Sequence, residues 1–229
     1  MPLEFKRFNG RGVVLLHSAK HDPNELLDVI EGEPARVVGV TPPVRVYKFG
    51  RQELAVRDFR RDDGREDLLY AFDTLVGAAK SRAALVELPI ALVSRAASDG
   101  RIVTLWKKGT RSLGEYLDDA RVPQAAKRKA CISAARKLAK LHAAGFIHGH
   151  PEPENFLVNR RSGNAHLVDY TFQHLNYAEN ADSRELESPA YYFGRMAEMF
   201  LRGHFKSDLV LNMLQEYDSV RARLTVRHR

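Results

Sequence analysis

Asn155 and Asp169 stand 14 residues apart, and the chain between them reads as strand, turn and strand. Residues 156–158 are apolar, Arg160-Arg161-Ser162-Gly163-Asn164 supplies the residue types that reverse a chain, and 165–168 is largely apolar again. A hairpin of that length returns the two oxygen-bearing side chains to the same edge of a small sheet. Magnesium and manganese, as hard cations, take such oxygen ligands, so the spacing makes Asn155 and Asp169 candidate metal ligands. The structural alternative makes Asn155 a turn residue and Asp169 a strand-end cap.

The surrounding pattern divides by element type. Residues 44–47 and 54–57 are two short runs rich in β-branched and aromatic side chains with Gly50 between them, which predicts a hairpin. Apolar residues at Leu68, Leu69, Phe72, Leu75 and Val76 then predict a helix over 66–80. A second hairpin is expected from 88–93 and 102–106, turning at Ser98-Asp99-Gly100, followed by a connector at Lys107-Lys108-Gly109-Thr110. Beyond it come a short helix over 112–117 and a long one over 123–144, with Ile132, Ala135, Leu138 and Leu141 on one face and Gly145 as a left-handed stop. Further helices are expected near 191–201 and over 208–223, the latter aligning Val210, Met213, Leu214 and Tyr217. Strands gather in the first part and helices in the second, which is α+β organisation.

Composition narrows the function classes. With 229 residues, 44% of them hydrophobic, the chain can bury a substantial core. The single cysteine, Cys131, forms no intramolecular disulfide, and no Cys/His spacing matches a structural zinc site; a reducing compartment is expected. The N-terminus mixes Glu4, Lys6, Arg7 and Arg11 among its apolar residues, and 83–97 is interrupted by Glu87, Pro89 and Arg95, so neither an export signal nor a membrane span is expected. The expectation is a soluble, cytoplasmic protein. A formal charge of +7 favours phosphate-rich partners, with its densest part at Arg221, Arg223, Arg227, His228 and Arg229. That tail reads as a solvated or frayed terminus, or else as a contact for RNA, anionic lipid or an acidic partner.

The segment His148-Gly149-His150-Pro151-Glu152-Pro153-Glu154-Asn155, followed by the hairpin and Asp169-Tyr170-Thr171, resembles the catalytic loop and metal-binding motif of protein kinases. His148, Pro153, Glu154, Asn155 and Asp169 match. The absence of Ala-Pro-Glu after Asp169 and the short segment that follows are similar to the compact atypical kinases, the RIO and Kdo lipopolysaccharide-core kinase groups; Arg57-Asp58-Phe59-Arg60-Arg61 resembles the third-strand segment of the latter. The resemblance implies a two-lobed protein-kinase-like fold, with a β-rich N-lobe over 1–107 and a minimal, mainly helical C-lobe over 108–229.

It also implies ATP with magnesium or manganese as cofactor, held by Asn155 and Asp169. Arg57 stands at the nucleotide-pairing lysine position, with Asp73 or Glu66 from the following helix as its acidic partner. Three departures bear on activity. His150 occupies the catalytic aspartate position, bringing an imidazole without negative charge. Glu152 stands where many kinases carry a lysine, and a carboxylate there repels a transferring phosphoryl group. No Gly-x-Gly-x-x-Gly precedes Arg57, and Gly10-Arg11-Gly12 lies far upstream. The resemblance therefore implies a pseudokinase or very weak phosphotransferase that works through a partner. The alternatives are an active atypical kinase, with His150 or Glu152 as substitute base and a sugar, lipopolysaccharide core or protein hydroxyl as acceptor, and a basic adaptor for nucleic acid or anionic surfaces.

Overall fold

The computed structural model of the protein describes residues 4–10, 13–38, 44–60, 68–80, 88–96, 99–144, 146–148, 151–168, 173–174 and 207–226. Two compact units emerge, the first drawn from Met1–Lys80 and Glu87–Lys108 and the second containing Gly109–Arg229.

The first unit is built on a seven-stranded sheet of β1 (Phe5–Gly10), β2 (Val13–Ser18), β3 (Arg36–Val38), β4 (Val44–Phe49), β5 (Gln52–Arg60), β6 (Pro89–Ala96) and β7 (Asp99–Leu105), in the order β1-β2-β6-β7-β5-β4-β3. Every neighbouring pair is antiparallel. Side-chain alternation assigns the two faces. Leu15, Tyr47, Phe49, Leu54, Val56, Val93 and Val103 form one apolar layer with Leu26, Leu27 and Ile30 of α1 (Pro23–Glu31). Leu92 packs on the opposite face with Phe72 and Val76 of α2 (Leu68–Lys80), joined by Leu16 and Ile102. Helix α1 begins where its residues dictate: the Asp22 carboxylate accepts from the Asn24 and Glu25 N–H groups at 2.9 and 3.0 Å, and Pro23 sits in the first turn, where its missing N–H is harmless.

The second unit places β8 (Thr110–Ser112), β10 (Phe156–Asn159) and β11 (Ala165–Leu167) in one three-stranded sheet, and β9 (Phe146–Ile147) with β12 (Gln173–His174) in a two-stranded one. Among the described residues it also contains helices α3 (Leu113–Asp118), α4 (Gln124–Ala143) and α5 (Ser207–Val226). The buried stripe of α4 is Ala130, Cys131, Ala134, Ala135, Leu138, Ala139, Leu141 and His142, and its small side chains let α5 approach through Leu209, Val210, Met213, Tyr217 and Val220.

The hairpin of β4 and β5, α2 from Leu68, α3, α4, the β10–β11 hairpin and α5 agree with expectation. Several details differ. Asp99 and Gly100 do not turn the second hairpin; they are paired residues of β7, opposite Arg60 and Phe59 of β5. Thr110 belongs to a strand and not to the connector, because it pairs with Asn159 of β10. Ile132 is only half-buried, since the core-facing stripe of α4 runs through Cys131 and Ala135. Arg221 and Arg223 lie inside α5, so the terminus is helical as far as Val226. The expected stop at Gly145 and helix over 191–201 lie outside the described residues.

Candidate functional site

The motif loop is held by contacts at both ends. His148 is fully buried, its ring stacked 6.2 Å from that of Phe156. Its Nε2 lies 2.9 Å from the Val168 carbonyl oxygen; a carbonyl only accepts, so Nε2 carries the proton and the tautomer is set. Pro151 and Pro153 are buried, and Pro153–Asn155 forms a single 3₁₀ turn closed by the Asn155 N–H donating to the Glu152 carbonyl at 2.9 Å.

The far end of the hairpin returns to this turn. The Val168 N–H donates to the Asn155 carbonyl at 2.9 Å, and Phe156 pairs with Leu167 in the ladder. Before the loop, Ile147 and Phe146 of β9 pair with Gln173 and His174 of β12. Val168, which precedes Asp169 in sequence, is thus bonded to both His148 and Asn155, and Gln173, four residues after Asp169, is paired to the strand that leads into the loop. Asp169 and His150 themselves lie outside the described residues.

Helix α3 packs on the turn that carries Pro153 and Glu154. A Cβ added at Gly114 would come within 2.8 Å of a Glu154 carboxylate oxygen, the far end of an exposed side chain that can swing aside, and 3.7 Å of Pro153, in ordinary contact, so the helix lies close against the turn at this glycine. Helix α3 is fixed in turn by a capping box, the Ser112 hydroxyl accepting from the Glu115 N–H at 3.1 Å and the Glu115 carboxylate from the Ser112 N–H at 3.2 Å.

Behind the loop, the buried His142 of α4 meets the Tyr217 hydroxyl of α5 at 2.7 Å through Nδ1, with the rings edge to face. Burial pushes the His142 pKa down to about 3, and the charge of Arg221 acts the same way, so its ring is neutral. Burial also raises the Tyr217 hydroxyl to about 12, which keeps its proton in place. The role of His142 as a buried support appears once the turn-by-turn facing of α4 and α5 is known, although apolar neighbours at helical spacing around both residues are the signal for it.

Of the remaining candidates, Asn155 is half-buried at the end of its turn and Glu152 is exposed. Arg57 is half-buried on β5 opposite Ile102, which places it on the α2 face of its sheet. Asp73 is exposed on α2, and no ion pair joins it to Arg57; Glu66, the other candidate, lies outside the described residues. The neighbouring Asp58 accepts instead from Arg45 and, at 3.3 Å, pairs with Arg101. Gly10-Arg11-Gly12 joins β1 to β2, and β6 and β7 stand between β2 and β5. The strand beside β5 on its other side is β4. Among the described residues no group of three His, Cys, Asp or Glu side chains is placed to hold a metal ion, and no helix is long and apolar enough to cross a membrane.

Among solved structures, the chain is similar to the structure of WaaP in complex with acyl carrier protein, with a TM-score of 0.51 and 18% identity over 88% of this chain and 94% of that one. The fold is kinase-like. No protein-family model matches the sequence, and no curated protein matches it. At this identity the likeness establishes architecture alone. The kinase-like fold accounts for the succession of a large antiparallel sheet with α2 between β5 and β6, then helices and a small hairpin that carries the motif loop.

Proposed function

We propose that this protein is a nucleotide-binding pseudokinase, in which Asn155 and Asp169 hold magnesium or manganese against nucleotide phosphates and the folded domain acts by presenting a surface to a partner. The observation that supports this reading is the bonding of Val168, next to Asp169, to both Asn155 and His148. An amide oxygen and a carboxylate suit a hard cation by their chemistry, and the cation would neutralise phosphate charge. By the resemblance alone, Arg57 stands at the nucleotide-pairing lysine position, with a fork that reaches differently from a lysine ammonium.

The loss of transfer follows from His150 and Glu152. A neutral imidazole at the catalytic position becomes cationic on taking a proton, and the Glu152 carboxylate opposes phosphoryl charge. WaaP, a kinase, was solved with a protein partner, which supports a partner-presenting role. The second reading, an atypical kinase acting on a saccharide or protein hydroxyl with His150 or Glu152 as base, is favoured by the same likeness to WaaP.

Transfer of radiolabelled phosphate from ATP to lipopolysaccharide core, free sugars and protein acceptors separates the two. The pseudokinase reading expects no transfer above that of Asp169→Ala. Robust transfer that Asp169→Ala abolishes would establish the kinase reading instead.

A further inference from the structure

Helix α4 carries six cations, Lys127, Arg128, Lys129, Arg136, Lys137 and Lys140, and no acidic residue. Part of this charge borders a groove of about 330 Å³ on the second unit, lined by Arg128, Lys129, Ile132, Ser133 and Arg136 of α4 and by Asn164 of the β10–β11 turn. The groove lies away from the motif loop, and none of its lining residues belongs to the candidate metal site.

Its walls are built. The Arg128 guanidinium donates to the Asn212 side-chain oxygen at 2.6 Å and the Arg136 Nε to the Glu216 carboxylate at 2.5 Å, so α5 fixes both forks. The Ser133 hydroxyl accepts from the Ala165 N–H at 2.9 Å, tying the floor to β11. The Lys129 stem lies along Gly163, where an added Cβ would stand 3.4 Å from its Cδ; with φ at +68°, that position favours glycine as well. Among the described residues Lys129 has no ion-pair partner, and its ammonium is left to an incoming group.

Residues 128, 132 and 136 are successive steps of four on one helix face, spanning roughly 12 Å from first to last. Cations stand at both ends and an apolar side chain, the half-buried Ile132, stands between them. The complementary surface is a helix with carboxylates two turns apart and an apolar residue between, laid into the groove. Nucleic acid fits less well: no aromatic side chain lines the groove to stack on a base, and an isoleucine floor offers nothing to phosphate.

We propose that the α4 groove docks an acidic amphipathic helix of a partner protein, with carboxylates on Arg128, Lys129 and Arg136 and an apolar side chain on Ile132. The proposal names the chemistry of the partner that the pseudokinase reading requires, and it rests on that reading only for its biological purpose. It is measured without nucleotide, so its failure leaves nucleotide binding untouched, and the reverse also holds.

The test uses the full chain and a fluorescein-labelled helical peptide of Glu, Ala and Leu, roughly 20 residues and so about 30 Å long, with Glu two turns apart and Leu between. Fluorescence anisotropy is expected to show binding that weakens with salt. It should also weaken about tenfold in the Lys129→Glu/Arg136→Gln variant and stay unchanged in Lys20→Glu, a control on the first unit. Lys129→Gln alone, at an exposed position, should weaken binding as well, which keeps the test valid if the double variant unfolds by circular dichroism. A peptide of the same composition with a central proline should bind at least several-fold more weakly, because the helix is broken. Absence of binding, equal binding by the Lys129 variants, or tighter binding of duplex RNA than of the peptide would overturn the proposal.

Discussion

His142 on α4 and Tyr217 on α5 join at 2.7 Å in the core of the second unit, a polar contact between the two helices that pack behind the motif loop. The bond is buried on both sides, so its loss leaves an unsatisfied imidazole nitrogen with no water to replace the hydroxyl. Tyr217→Phe keeps the ring packing and removes only that oxygen. Urea unfolding should show a loss of about 1–3 kcal/mol. An unchanged midpoint would mean that the bond contributes nothing net.

The same histidine makes stability depend on pH. Its folded pKa is about 3 against an ordinary 6.5, so in acid the unfolded chain takes up the proton first. The sign follows: the contribution is complete above pH 6.5 and is lost as pH falls towards the folded value, at up to about 1.4 kcal/mol per pH unit for one proton. His142→Gln removes this titration. Comparing the two proteins by thermal unfolding from pH 7 to pH 4.5, the wild type should lose stability relative to the variant as the acid increases.

Helix α3 offers a test nearer the loop. Ser112→Ala breaks the capping box and should cost about 1 kcal/mol by chemical denaturation. Because Gly114 of α3 lies against Glu154 of the loop, the substitution should also raise backbone amide exchange at 153–155. Unchanged exchange there would show that α3 does not set the loop's position.

What was legible in the sequence follows from where the signals are local. The β4–β5 hairpin announces itself by alternating β-branched residues around Gly50, and α4 and α5 by long apolar stripes. The β10–β11 hairpin is equally local, and with it the return of Val168 to Asn155. The elements of 5–38 carry weaker local signals for a different reason. Strand β1 is an outer strand with only half-buried residues at Phe5, Phe8 and Gly10, and β3 is exposed throughout, so neither shows a clean inside-outside alternation. Helix α1 did carry a readable start in Asp22-Pro23. Strand β8 exists only through pairing with β10, some 45 residues downstream, which no window of sequence reveals.

The site divides in the same way. The motif residues are readable as types at a spacing, and the burial of His148 accords with its place in that motif. Sheet order is not readable in the same way: Gly10-Arg11-Gly12 precedes Arg57 in the chain, whereas the ladder puts β4 and β7 beside β5. The exposure of Asp73 follows from the rotation of α2, which the helical spacing of its apolar residues does not fix for each polar position.

The central claim is metal-dependent nucleotide binding through Asn155 and Asp169, and thermal unfolding with ATP or ADP, each with magnesium, manganese or EDTA, tests it most directly. Ligand present at a hundredfold its dissociation constant stabilises the folded state by about 2.7 kcal/mol, an easily measured rise in Tm. The account predicts such a rise with nucleotide and metal together, abolished by EDTA, by Asp169→Ala and by Asn155→Ala. No shift with any nucleotide, or an equal shift in the Asp169→Ala protein, would contradict it.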